Sequence, residues 1–316
     1  MRSKMQKRWT ALVAVMLLLL VVAPLSGVDF RRVSAAGDFT VTDTGVLTEY
    51  TGSGGQVTIP SGVKRIHTGA FHSNTKITGV TFPSTLTEID PYAFRGCTGL
   101  TSVALPSSLI TIGAHAFYEC SNLTSVKLSV QLTTIGIGAF EGCTALKTVT
   151  LPDGLTTIGN RAFRGTSSLN SVTLPSSLQY IYDNAFEKSG LTAVTLPASV
   201  VLKECESAFQ NCASLKSVTF MGKAGEGIAK GMCKGCTALT GIRIPDGMTY
   251  IGVSAFEGCT SLSSVRIPDS VITISASAFE GCTALTSIQI PDGITYIGSS
   301  AFAKTSLTSA TLSDNV

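Results

Sequence analysis

The residues best equipped for chemistry in this chain of 316 are its nine cysteines. Thiols at the right spacing hold zinc, form disulfides or act as nucleophiles. Here the spacing points elsewhere. Cys97, Cys120, Cys143, Cys212, Cys236, Cys259 and Cys282 recur at 23 residues or close to multiples of it, each three positions after a phenylalanine or, once, after Cys233. Asn74, Thr166, Ser189 and Thr305 hold the same place elsewhere. A position that takes thiols or small polar groups fits a buried ladder bonding neighbouring backbone. Successive thiols would stack about 5 Å apart, close to disulfide range, but parallel side chains disfavour bridging. A ladder of free thiols is therefore expected, even in an oxidising compartment.

Cys233-Lys234-Gly235-Cys236 is a lone C-x-x-C. A redox motif would sit between a strand and a helix. Cys233 instead stands where other copies have phenylalanine, so core filling is expected. Zinc would need two further ligands, and His67, His72 and His115 lie far off along the chain. Asp246, Asp269 and Asp292 share a register just after prolines. They read as turn residues, with calcium the weaker alternative. The chain has no G-x-S-x-G, phosphate loop or aspartate-rich calcium loop. No catalytic residue, metal or cofactor is expected.

What must position these residues is a repeat. Val57, Val80, Val103, Val126, Val149 and Val172 are 23 apart, and Val194, Val218, Ile242, Val265 and Ile288 follow at 22 to 24. Ala310 opens a twelfth copy. Within one copy, Val149 and Leu151 alternate with polar neighbours, as in a strand with one buried face. Pro152 ends the strand because it cannot donate to a ladder. Leu155 and Ile158 turn inward again, Ala162-Phe163 fills a corner, and Leu169 leads to the next strand. One such coil cannot stand alone, so stacking must complete its core and its hydrogen bonds. The fold class expected is a β-rich solenoid of about eleven stacked coils with few or short helical turns.

The Ala-Phe pair recurs ten times, with Phe94, Phe117, Phe140 and Phe163 in unbroken succession. Such a column is a core device. The pattern breaks over residues 198–236, where Val200 to Cys205 carries an extra residue and the next copy loses both Pro and Ala-Phe. This stretch reads as an irregular bulge or bend, either tolerated drift or a functional insertion. Residues 37–56 depart from the repeat, and Phe39-Thr40-Val41 with glycines at 45, 52, 54 and 55 suggests a capping hairpin. The solenoid is assigned to residues 57–316. No C-terminal cap is visible, so either the chain continues or the last strand is an edge.

Charged residues are only 14% of the chain, with Ser, Thr and Gly in their place. Residues 1–36 read as an export signal: Arg2, Lys4, Lys7 and Arg8, then an apolar run from Ala11 to Val22, then small residues near Ala35. A retained anchor is the alternative. Six of the 23 basic and one of the 20 acidic residues precede position 36, leaving 17 and 19. The remainder is near −2, with no clustered cations to suit nucleic acid or an anionic membrane. No membrane span is expected after cleavage.

The outward position after each strand valine runs Thr58, Thr81, Ala104, Lys127, Thr150, Thr173, Thr195, Thr219, Arg243, Arg266 and Gln289. A neighbouring column adds Lys147 and Lys216. A second surface column, just before the inward isoleucine, holds Tyr180, Tyr250 and Tyr296. Lys127, Lys147, Lys216, Arg243, Arg266, Gln289 and the three tyrosines are the candidate partner-binding residues. The alternative for each column is an ordinary solvated face.

The repeat Leu-x-x-Val-x-Leu-Pro-x-x-Leu-x-x-Ile-Gly-x-x-Ala-Phe-x-Gly-Cys-x-x-Leu resembles the BspA-like, or Treponema pallidum type, leucine-rich repeats over residues 57–312. Ile-Gly-x-x-Ala-Phe is unlike other leucine-rich classes, and Gly45 to Gly52 is similar to the start of such bacterial proteins. The resemblance implies a right-handed solenoid, surface exposure, and adhesion to host or microbial partners, including matrix proteins. It brings no catalytic residues. The expectation is a secreted or cell-surface interaction module. The alternatives are a structural spacer or cell-envelope scaffold and, more remotely, a carbohydrate binder.

Overall fold

The computed structural model describes residues 32–35, 37–222 and 226–311, with the side chains of 32–35, 203 and 311 left aside. The leader assigned to 1–36 therefore lies outside the described residues, apart from a strand at Arg32–Ala35. The same holds for 223–225 and 312–316.

Most coils make two short strands, and each of these pairs in parallel with a counterpart one coil away. The valine strands Gly55–Thr58, Ile77–Thr81, Ser102–Ala104, Ser125–Lys127 and Thr148–Thr150 form one sheet. Val80 lies opposite Val57 and Val103, and Val126 opposite Val103 and Val149. The isoleucine strands stack likewise, Ile66 on Ile89 on Ile112 and Ile135 on Ile158 on Ile181. Parallel crossovers of this kind are right-handed. One-residue alternation decides the facing: Val103, Val126 and Val149 are buried, while the residues on either side of them are mostly exposed.

The corner between the isoleucine strand and the next valine strand is also laddered. Phe71, Phe94 and Phe117 donate their N–H to the carbonyls of Ala93, Ala116 and Ala139 at 2.8–2.9 Å. Holding a corner this tight takes left-handed backbone at two places per coil. The residue two before the phenylalanine has positive φ in all eleven coils, from Gly69 to Ser300, and so does the residue two after, from Ser73 to Lys304. That explains the glycine two residues past the phenylalanine place at 96, 142, 165, 235, 258 and 281, since glycine takes this conformation at no steric cost.

The phenylalanine column is the core expected of it. Phe71, Phe94, Phe117, Phe140, Phe163, Phe186 and Phe209 stack at 4.6–5.6 Å, nearly coplanar and buried. Phe256, Phe279 and Phe302 resume the stack. In the coil between, Met232 and Cys233 occupy the Ala and Phe places, because Phe209 donates to the Met232 carbonyl and Cys233 to that of Ala255. A larger residue in the small site offsets a smaller one in the large site, and both are buried.

The chain ahead of the first coil forms a hairpin. Phe39–Thr42 pairs antiparallel with Val46–Tyr50, whose Leu47 then pairs in parallel with Ile66. Tyr50 packs at a tilt against Phe71 at 5.2 Å and Phe39 against Tyr50 at 5.1 Å, so the hairpin's rings meet the end of the phenylalanine column. The irregular stretch is local. A 3-10 turn at Leu202–Glu204 replaces one isoleucine strand, and that ladder resumes at Gly227–Ile228. The valine strands on either side, Ala193–Leu196 and Ser217–Phe220, still pair over four residues. The valine ladder lapses one coil earlier, at half-buried Val172, in the copy that is one residue short.

Candidate interaction surface

All nine cysteines are free and buried. In the ladder, each Sγ donates to a carbonyl of the preceding coil: Cys97 to Phe71 at 3.0 Å, Cys143 to Phe117 at 3.2 Å, Cys282 to Phe256 at 3.2 Å. Cys259 donates to Cys233, which stands in the phenylalanine column. Burial pushes Cys97, Cys143 and Cys282 up to about 12, so none is a thiolate at neutral pH. Thr166 and Thr305 hold the same position with a hydroxyl on their own coil's Phe163 and Phe302 carbonyls. Among the described residues, no three His, Cys, Asp or Glu side chains gather to hold a metal ion.

Many hydroxyls are also structural. Thr101, Thr124, Thr192 and Ser263 donate to carbonyls one coil back at 2.9–3.3 Å. Surface chemistry falls instead to the outward column beside the strand valines, exposed from Thr58 to Gln289.

Along that column only one place sets two cations side by side. The strands Gly241–Arg243 and Ser264–Arg266 pair in register, with Arg243 directly opposite Arg266. Like charges so placed repel. Arg266 has one carboxylate, exposed Asp246, at 3.4 Å. Arg243 meets none among the described residues. A cleft of about 600 Å³ lies beside Arg243, lined by Phe220, Met221 and Pro245, and Met221 is 66% exposed. A second, of about 430 Å³, brings together Asp246, Arg266, Asp269, Ser270 and Gln289. The structure thus unites Arg243, Arg266 and Gln289, and adds Phe220 and Met221, which lie in the stretch where the sequence pattern fails.

The other candidates are dispersed. Lys127 faces Ala104 and Thr150 across its strands. Lys147 and Lys216 are exposed one column away. The tyrosines belong to the isoleucine sheets, not to this face. Only Tyr296 is fully exposed. Tyr180 is half-buried and stacks on Tyr182 at 5.8 Å, and Tyr250 packs flat over Gly227, leaving no room there for a Cβ.

A further surface group escaped the sequence reading. At the coil corners Tyr92 stacks on His115 at 5.3 Å, and the Arg95 guanidinium lies 5.7 Å from the Tyr92 ring and 5.4 Å from that of Tyr118. The signal was available: Tyr92 and His115 are 23 apart, as are Arg95 and Tyr118.

A profile of the BspA type leucine rich repeat region, in six copies, matches residues 49–153, 135–259 and 226–316. Among solved structures, a leucine-rich repeat protein from Bacteroides ovatus is similar with 24% identity and a TM-score of 0.71, over 90% of this chain and 86% of that one. One from Eubacterium ventriosum gives 23% and 0.51, over 87% and 95%. A leucine rich cell surface protein from Faecalibacterium prausnitzii gives 26% and 0.49, over 87% and 98%. No curated protein sequence matches.

Proposed function

Because this chain belongs to the BspA-type leucine-rich repeat family, we propose that it is a non-catalytic interaction module, exported or surface-exposed, whose valine-sheet face binds an acidic segment of a partner protein. The observation that carries this reading is Arg243 opposite Arg266 beside the Phe220–Met221 cleft. Two cations held in register cost stability that an anionic partner returns. Arginine offers a carboxylate two parallel N–H donors, and an adjoining apolar cleft gives a neighbouring side chain a place to bury. The cysteines, the chain's strongest nucleophiles, are all buried, and Cys97, Cys143 and Cys282, pushed up to about 12, are not thiolates at neutral pH, which supports the non-catalytic reading. Export rests on the leader-like residues 1–36.

The test is surface plasmon resonance of the full chain against a panel of extracellular-matrix and bacterial surface proteins. Specific binding should weaken by at least about tenfold in R243A/R266A, as losing a charge-assisted contact implies, while Lys127→Ala stays near the parent. Binding should also fall steeply with salt. Binding indifferent to both arginines overturns the reading. The threonine-rich run from Thr58 to Thr219, broken only by Ala104 and Lys127, favours a second reading, an envelope spacer, and binding no better than a surface-scrambled control would support it.

A further inference from the structure

The corner cluster around Tyr92 has features the solenoid does not need. Its column, two residues before each phenylalanine, is left-handed in every coil, with φ of 60° at Tyr92 and 55° at His115. Elsewhere the column holds Gly, Ser and Asn, with Arg161 the one other exception. Of the two rings, that of Tyr92 pays a backbone penalty at such a position, whereas histidine is among the residues that tolerate it. Neither ring serves the core: Tyr92 is 39% exposed, and His115 is partly exposed.

The geometry makes a platform. Tyr92 and His115 are parallel to within 9°. On one side the His115 ring lies against Gly138, where a Cβ would come within 2.2 Å of Nδ1, so that glycine makes room for the ring. On the other side the preceding residue of the column is Gly69, which places no side chain over the far face of Tyr92. Beside the platform Arg95 sits between the rings of Tyr92 and Tyr118, and its guanidinium meets no hydrogen-bond acceptor among the described residues. A cation held by two rings with all its donors free is preorganised for an anion.

We infer that Tyr92, Arg95, His115 and Tyr118 form a binding site for an acidic sugar, with a pyranose ring against the exposed part of the Tyr92 ring and its carboxylate on Arg95. A pyranose presents a face of C–H groups with partial positive charge, which suits the negative face of an aromatic ring. A uronic or sialic acid adds a carboxylate at the edge of that ring, the group a guanidinium binds with two parallel hydrogen bonds. A flat ring with a charged neighbour fits a sugar better than a peptide side chain, which calls for a pocket. The site stands on a different part of the coil from Arg243 and Arg266, so it neither needs nor supports the protein-binding reading.

The experiment is titration of the full chain by saturation-transfer NMR and calorimetry with 3′-sialyllactose and digalacturonic acid, with lactose as the neutral counterpart. At least one acidic sugar should bind at least about tenfold more tightly than lactose, the worth of one charge-assisted contact. Tyr92→Asn and Arg95→Gln should each abolish that preference with Tm unchanged, since asparagine tolerates the left-handed backbone. Arg95→Lys should retain part of it, and R243A/R266A all of it. The inference is overturned if neither acidic sugar binds, if lactose binds as well, or if binding survives both Tyr92→Asn and Arg95→Gln. A protein ligand lost on Tyr92→Asn in a chain that binds no sugar would overturn it too.

Discussion

The Sγ of Cys120 donates to the carbonyl oxygen of Phe94 at 3.1 Å, across 26 residues of chain and one coil of the solenoid. The same step recurs at Cys97, Cys143, Cys212, Cys236, Cys259 and Cys282, so each coil with a thiol at this place is tied to the one before it. It also makes the thiols inert.

Native protein at pH 8 should therefore react with none of its nine thiols on the timescale of a thiol-reagent assay, and with all nine in denaturant. Rapid native labelling of Cys97 or Cys143 would contradict the ladder.

Those thiols also set an alkaline limit. Cys97, Cys143, Cys205, Cys212 and Cys282 rise from an ordinary 9.0 to about 12 in the fold, with burial the largest cause. Below pH 9 both states keep these protons. Between 9 and about 12 the unfolded chain releases them while the folded chain does not, so stability falls as pH rises. The slope is at most about 1.4 kcal/mol per thiol per pH unit. Denaturant midpoints measured from pH 8 to 11 should decline more steeply than in a chain with Cys143 and Cys282 changed to Ser.

Phe163 lies between Phe140 at 5.6 Å and Phe186 at 5.2 Å. Phe163→Ala should cost about 3–5 kcal/mol. The exchanged pair allows a sharper test. Cys233→Phe should cost about 1–3 kcal/mol by overpacking and Met232→Ala about 2–5 by leaving a cavity. Together they restore the Ala-Phe pair, so the double variant should lose much less than the sum. Additive losses in a chemical-denaturation cycle would show that the two sites do not share volume.

Left-handed corners predict opposite signs at equivalent positions. Gly165 has φ of 72°, and a Cβ there would meet nothing nearer than Gly142 at 3.9 Å, so Gly165→Ala should cost about 1 kcal/mol from conformation alone. Lys188 has φ of 57° in the same column, so Lys188→Gly should be neutral or stabilising by up to about 1 kcal/mol. Thermal melts of the two variants check this directly.

Asp90 is 2% exposed, and its two carboxylate oxygens share the Nε–H of half-exposed Arg65 one coil back, at 2.9 and 3.0 Å. Arg65→Met leaves that carboxylate buried without its cation and should cost on the order of 2 kcal/mol, reduced from the full buried-pair value by Arg65's solvent exposure. Adding Asp90→Asn should recover part of the loss in the same urea titration.

The sequence by itself determined the coil. A period of 23 with Val, Leu, Ile, Ala-Phe and Leu at fixed offsets leaves one way to bury every apolar position, so the solenoid was legible without coordinates. Local pattern carries that information because each coil repeats its neighbour's environment. Tertiary structure alone decided which surface residues meet. Arg243 stands 23 residues from Arg266, and Tyr92 the same distance from His115, so only stacking turns these separations into direct neighbours. It also decided the left-handed corners, whose Ser, Lys, Tyr and His occupants give no glycine signal. The Phe220–Met221 cleft came from structure too, because it forms where the repeat departs from its own pattern and periodicity has nothing to say.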